Sequence, residues 1–251
     1  MTKDRIFDGI ADKFAKNIYG TTKGRLRHSL LCDVLTPFVN LNQTEKPLNI
    51  LEIGGGTGVM SAHLASLGHN IVLTDASQDV LEQANELLAP FSNVVIRHQY
   101  LQEIKDIQNF DLVVCHAVLE WLEAPYEAIN TLYNSMQKGA RLSLSFFNQD
   151  ANLFANAIYG NFDYIAKGMK AKKQVRLNPN QPLSAMKVVE YCESIGFSIL
   201  DKSGVRCFHD YMRDISHQSA KYEDLLALER QYHRQQPYLW LGKYFHLMLE
   251  K

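Results

Sequence analysis

Seven consecutive residues, Glu52-Ile53-Gly54-Gly55-Gly56-Thr57-Gly58, put an acid just ahead of four glycines. Glycine lets the backbone take positive φ angles and approach a ligand with no Cβ in the way. The spacing Gly54, Gly56, Gly58 is not the dinucleotide pattern G-x-G-x-x-G, whose third glycine would fall one position later. That departure favours a ligand without a pyrophosphate. Glu52, two residues before the first glycine, is awkward for a phosphate and suits a cationic amine or sulfonium. Asp75 closes the next apolar run, NIVLTD, a position from which a carboxylate reaches both hydroxyls of a ribose. An NAD enzyme is the alternative, but the third glycine and any evident hydride-transfer dyad are lacking.

A glycine loop of this kind needs a strand before it and a helix after it, and the flanking residues supply both. From Lys46 onward the chain reads LNILEI, the glycine cluster, the helix-like VMSAHLASLG and then NIVLTD, a βαβ unit. A second helical stretch, SQDVLEQANELLAPF, has Ser77 as its N-cap and leads to NVVIRHQ. FDLVVCHAV, the helical APYEAINTLYNSMQ, the turn KGA and the strand RLSLSFFN continue the alternation. Five strands with crossovers predict an α/β fold with a mostly parallel sheet covered by helices on both faces. The rhythm breaks after Asn148. A Pro/Asn-containing stretch then precedes a helix around Ser184 to Ile195, the segment GFSILDKSGVRCFHDY and a terminal strand KYFHLMLE.

A length of 251 residues suits one such domain with additions and is tight for two cores. The composition, 46% hydrophobic and 21% charged, is that of an ordinary globular chain. The opening MTKDRIFDGIADKF mixes charges throughout, and no run is long and apolar enough for a bilayer, so secretion and membrane spanning are not expected. Cys32, Cys115, Cys192 and Cys207 show no metal-ligand spacing and read as free thiols of a cytoplasmic protein; no metal is expected. A net charge of -1 means that any polyanion must be met by a localised surface.

Glu52 to Gly58 together with Asp75 resemble the first motif and the acidic end of the second strand in class I S-adenosylmethionine-dependent methyltransferases. A narrower resemblance is carried by Asn17–Arg27, His116-Ala-Val-Leu-Glu-Trp121, Asn161-Phe-Asp-Tyr164, Gly204–Arg213 and Gln236-Pro-Tyr238. These segments are similar to the bacterial tRNA 5-carboxymethoxyuridine methyltransferase family over nearly the whole chain. The resemblance implies a Rossmann-like fold of seven strands with an antiparallel last strand, running Lys243 to Glu250. It divides the chain into a helical N-terminal lid (1–46), a cofactor-binding core (47–148), a basic insertion (149–183) and the rest of the sheet (184–251). It implies S-adenosyl-L-methionine as cofactor, the tRNA anticodon stem-loop as partner, and methyl esterification of 5-carboxymethoxyuridine at the wobble position. Matching positions for cofactor contact are Arg27, Gly54, Gly55, Asp75, Leu101, Gln102 and His116, with Gly56 in the same loop.

Methylating a carboxylate is a displacement in which two opposite charges cancel, and the nucleophile is already ionised at neutral pH because its pKa is near ~4. No general base is required. The site must align the reactants and exclude water, and orientation alone contributes roughly 7 to 11 kcal/mol. Holding one carboxylate oxygen while leaving the other free is the useful arrangement. Arg206 is the first candidate for that grip because its planar fork matches a carboxylate, with His209 and Tyr211 beside it; an ion pair with Asp201 or Asp210 is its alternative. Trp121 is either a stacking surface for the wobble base or a core residue. Between Asp163 and Arg176, Lys167, Lys170, Lys172, Lys173 and Arg176 against one acid give a local charge of +4, interleaved with Tyr164 and next to Phe162. Phosphate binding explains that excess; Lys23, Arg25 and Arg27 extend that surface, and Arg213 and Tyr19 are further candidates for the carboxylate grip. The rival functions are methylation of a small-molecule carboxylate, which would not need the basic insertion, and a noncatalytic RNA-binding module that retains the cofactor.

Overall fold

The apolar runs become seven strands of one sheet: β1 (Asn49–Ile53), β2 (Asn70–Asp75), β3 (Val94–His98), β4 (Leu112–His116), β5 (Arg141–Phe147), β6 (Ser198–Val205) and β7 (Tyr244–Glu250). This computed structural model describes residues 20–40, 46–169 and 181–251. The strand order is β3-β2-β1-β4-β5-β7-β6, with β1 to β5 parallel and β7 antiparallel to both of its neighbours. Four consecutive buried residues in β1 and again in β4 mark strands covered on both faces. The order reverses between β1 and β4, the switch point at which open α/β sheets bind ligands beyond their carboxyl ends.

Helices α1 (Thr22–Val39), α2 (Val59–Ser66), α3 (Gln78–Leu88), α4 (Pro125–Ser135), α5 (Gln149–Ile158), α6 (Phe162–Ala166), α7 (Ala185–Ile195), α8 (His217–Ala220) and α9 (Tyr222–Tyr232) surround the sheet. Alternate strand residues face opposite ways, so the two faces bury different sets. Leu51, Val113 and Leu142 pack with Ile129 of α4 and Val188 of α7. Ile50, Val114 and Met248 pack with Leu30 of α1 and Leu226 of α9. α1, within the expected N-terminal lid, thus contributes one side to this core and lines the cavity beside the glycine loop with Arg27, His28 and Leu31. α1 starts where the Thr21 hydroxyl accepts the Gly24 N–H at 3.3 Å, satisfying one of the donors that a helix start leaves open.

Ser77 stands at the N-cap of α3 as expected but makes no side-chain cap bond there; its own N–H goes to Asp75 Oδ1 at 2.9 Å. The insertion after Asn148 begins as helix. α5 buries Ala151 and Ala155 and leaves Leu153, Phe154 and Ile158 exposed, followed by exposed Tyr159 and Phe162. Tyr19, Lys170, Lys172, Lys173 and Arg176 lie outside the described residues. Among those described, no helix is long and apolar enough to cross a membrane, and no group of His, Cys, Asp and Glu could hold a metal ion.

Candidate cofactor and acceptor site

The turn between β1 and α2 is built on the left-handed residues Gly54, Gly56 and Gly58, at φ +66, +57 and +81°. At Gly54 space is decisive as well, because a Cβ would run into Cγ2 of Val118. The N–H groups of Gly54 and Gly55 donate to Thr74 O at 2.8 and 3.1 Å, which ties the loop to the end of β2. The Asp75 carboxylate holds the next residue in place: Gly56 N–H donates to Oδ2 at 2.9 Å. Glu52 is buried and accepts a short hydrogen bond from the Ser61 hydroxyl. Burial pushes the Glu52 carboxyl up to about 7; the Ser61 hydrogen bonds oppose that rise and the nearby Asp75 adds to it.

One cavity lies over this loop. Arg27, Gly54, Gly55, Gly56, Asp75, Leu101, Gln102 and His116 all line it, as does Trp121. The sheet order makes the cavity polar along its length. Glu52 and Asp75 come from β1 and β2, whereas Ser145 and Tyr244 come from β5 and β7, with Arg27 reaching in from α1. Trp121 belongs to a short 3-10 turn after β4 and is half-buried in the wall. Arg27 sits in the second turn of α1.

His116 is the last residue of β4 and begins a chain of buried polar groups across the sheet. Its Nε2 meets Ser143 Oγ at 2.7 Å, Ser143 Oγ meets His246 Nε2 at 2.8 Å, and His246 Nδ1 lies 3.4 Å from Ser203 Oγ. Burial drives His116 down to about 3, with the Arg27 and His28 charges adding to it, and drives His246 down as well. Both rings are neutral at physiological pH. His116 therefore offers the cavity a fixed hydrogen-bonding edge and no charge.

Arg206 follows β6 with φ +65°, a left-handed conformation unusual for a side chain this large. Glu229 of α9 holds the turn in that shape by accepting the N–H groups of Cys207, Phe208 and His209 at 2.7, 2.9 and 3.1 Å. Of the two partners offered by the sequence, Arg206 takes Asp210, through Nε at 2.8 Å and Nη2 at 2.9 Å; Asp201 goes to Arg234. His209 is buried between Thr22 Oγ1 at 3.4 Å and Asp210 Oδ2 at 3.3 Å. The Tyr211 hydroxyl donates to Leu241 O at 2.7 Å. None of these three candidates lines the cavity, and their polar atoms largely face each other and their neighbours; Lys23 is exposed on α1.

Sequence reading did not nominate Tyr244, which lines the cavity between two arginines. The signal was present in the prediction of an antiparallel last strand. Only in an antiparallel β7 does the first residue lie at the edge where the parallel strands end. Glu229 was also missed, since YEDLLALERQY reads as an amphipathic helix with solvated acids.

A methyltransferase-domain family model matches residues 51–142, from the glycine loop to β5. The chain is 39% identical over 254 residues to the tRNA 5-carboxymethoxyuridine methyltransferase of Escherichia coli K12, covering 99% of this chain and 97% of that one. It is 25% identical over 198 residues to the ubiquinone biosynthesis O-methyltransferase of Coxiella burnetii (strain Dugway 5J108-111), covering 74% and 81%. Among solved structures, the magnesium protoporphyrin IX methyltransferase of Synechocystis PCC 6803 with bound SAH superimposes with a TM-score of 0.65 at 17% identity, over 98% and 95% of the chains, a likeness of fold. The similarity to the Escherichia coli protein runs beyond the matched domain through α1, the insertion and the arginine-bearing turn after β6, so the chain belongs to the tRNA 5-carboxymethoxyuridine methyltransferase family.

Proposed function

We propose that the protein transfers a methyl group from S-adenosyl-L-methionine to the carboxylate of 5-carboxymethoxyuridine at the wobble position of tRNA, forming the methyl ester. The observation that carries this reading is the polarity of the cavity, with acids over β1 and β2 and with Arg27 beside Tyr244 toward the other end. The cofactor fits along the cavity from the acidic end to Arg27. Asp75 suits the ribose hydroxyls, the buried Glu52 suits positive charge, and Arg27 suits the amino-acid carboxylate. When bound, S-adenosyl-L-methionine supplies an electrophilic methyl group on a sulfonium.

The protein's own residues do the remaining work. The glycine loop lets the backbone come close, and neutral His116 offers a hydrogen bond without competing for charge. Leu101, Val118 and Leu122 line the cavity with apolar surface that excludes water from the acceptor. No residue has to remove a proton, because the acceptor is ionised with a pKa near ~4. Exposed Phe154, Tyr159 and Phe162, ahead of the lysine-rich stretch, support an anticodon loop as the bearer of the carboxylate; aromatic stacking contributes roughly 1 to 3 kcal/mol per base. Mass spectrometry of wobble nucleosides after incubation with modified tRNA and cofactor tests the reading. The methyl ester is expected on the modified tRNA alone; its absence, with methylation of a free carboxylic acid instead, would favour a small-molecule enzyme.

A further inference from the structure

The ring of Tyr244 lies between two guanidinium groups, with the Arg27 Cζ 5.4 Å and the Arg206 Cζ 5.6 Å from its centroid. The residue opens β7 in register with Phe147 of β5 and Val205 of β6, which puts it at the carboxyl edge of the sheet. There it lines the cavity. The Arg27 guanidinium is also the largest positive influence on the phenol. A guanidinium has donors and no acceptor, so neither arginine can take the phenol proton. Among the described residues no protein group takes that proton.

A proton held this way calls for an acceptor from outside the chain, and the setting selects an anion. Two positive charges lie beside the ring, while the acid that acts on it, buried Glu120, is pushed up to about 7 by burial and so opposes them with a reduced charge. Arg206 is already committed to Asp210 through Nε and Nη2, so it contributes field at this position rather than a two-point grip. Burial keeps the phenol above its ordinary pKa even though both arginines pull it down, which makes the hydroxyl a donor and not a base. A single donor fits the chemistry of carboxylate methylation, in which binding both oxygens tightly would stabilise the ground state.

We propose that Tyr244 receives the acceptor carboxylate, donating its hydroxyl proton to one oxygen and leaving the other open to react. This inference rests on the proposed function. Arg27 lines the same cavity and lies against the same ring, so it stands between the two ends of the site.

The test uses Tyr244→Phe, which keeps the ring and both cation contacts, in the full-length protein. Binding of S-adenosylhomocysteine is measured by calorimetry. In its presence, two anticodon stem-loops are titrated that differ only in carrying 5-carboxymethoxyuridine or uridine. The parent is expected to prefer the modified loop. The variant is expected to keep cofactor affinity within about threefold and affinity for the unmodified loop unchanged, and to lose tenfold or more of the preference. Its kcat/KM on modified tRNA should fall by a similar or larger factor. A purely structural tyrosine would shift both loops alike. If Tyr244→Phe discriminates as the parent does, the proposal fails while the function stands; if the parent itself shows neither preference nor methyl transfer, the function fails and takes the proposal with it.

Discussion

Arg206 and Asp210 meet at two points, 2.8 and 2.9 Å, with only 7% of Arg206 exposed. Burial alone would raise the Asp210 carboxyl, but Arg206, with help from His209, holds it down at about 2. Truncating one partner of such a pair strands a buried charge. Arg206→Ala is therefore expected to lower unfolding free energy by about 3 to 5 kcal/mol, and Arg206→Met combined with Asp210→Leu to recover most of the loss. Urea titration of the two variants decides it, and equal loss in both would show that the pair is not what stabilises the turn. The same pair makes stability pH-dependent. The folded carboxyl titrates below the unfolded one, so its contribution is present above about pH 4 and disappears as pH falls toward 2.

Because Arg206 is structural as well as cationic, its role in substrate choice has to be read in a background that stays folded. The expected pattern for Arg206→Met/Asp210→Leu is weaker discrimination between modified and unmodified tRNA with the salt dependence kept, since one group near one carboxylate adds specificity more than general attraction. Full retention of the preference would remove Arg206 from recognition, leaving Tyr244 to act alone.

Asp75 has two tasks at once: its oxygens take the N–H groups of Gly56 and Ser77, and it faces the cavity. Asp75→Ala should weaken S-adenosyl-L-methionine binding by roughly 1.5 to 3 kcal/mol through lost charged hydrogen bonds. Asp75→Asn should also weaken it, because its amide nitrogen faces one of those two N–H groups with a donor of its own. Calorimetry on folded variants measures both, and parent-like affinity in Asp75→Ala would take the residue out of the site.

Glu52 separates binding from chemistry. Its carboxyl is pushed up to about 7 by burial, above the unfolded value, so the ligand-free protein gains stability from it below about pH 4.5 and loses that gain as pH rises through 7. A cationic cofactor favours the ionised form. Binding of S-adenosyl-L-methionine is thus expected to release a proton near pH 7 and to tighten as pH rises, and Glu52→Gln should abolish both effects; calorimetry in buffers of different ionisation enthalpy counts the proton. The methyl-transfer step itself, followed by single turnover with saturating ligands, should stay flat between about pH 6.5 and 8.5 because an ionised carboxylate needs no base. A tenfold rise per pH unit there would mean a different acceptor.

The parts of this molecule that were legible in the sequence are those whose cause is local. The glycine loop, the acid ending β2 and the alternation of apolar runs each fit within a few turns of chain, and together they imply the sheet and its switch point. The antiparallel β7 and the assignment of Arg27, Leu101 and Gln102 came from the resemblance and not from periodicity. What stayed hidden is set by long-range geometry. Glu229 holds a turn 20 to 22 positions away by accepting three backbone N–H groups, which no side-chain pattern reveals. Likewise, Arg206 had two acids within reach in sequence, and only the position of Arg234 beside Asp201 decides that Asp210 is its partner.

The lysine-rich stretch gives the last expectation, argued from charge alone. Lys170, Lys172 and Lys173 come four to seven positions after α6 in the sequence; within the described residues, Phe162 of α6 and its C-terminal neighbour Lys167 are exposed. Each lysine that neutralises a phosphate releases close to one counterion, so the triple alanine variant should lower the slope of log affinity against log salt by roughly 2 to 3 units. Cofactor affinity and the preference for modified tRNA should be unchanged, because these charges add attraction that does not distinguish one wobble base from another. Titrations with modified and unmodified tRNA at several salt concentrations read slope and preference independently. A parent-like slope would make this stretch a solvated charged segment and move the phosphate contacts to Lys23 and Arg25 on α1, where the same measurement on their alanine variants would then show the loss.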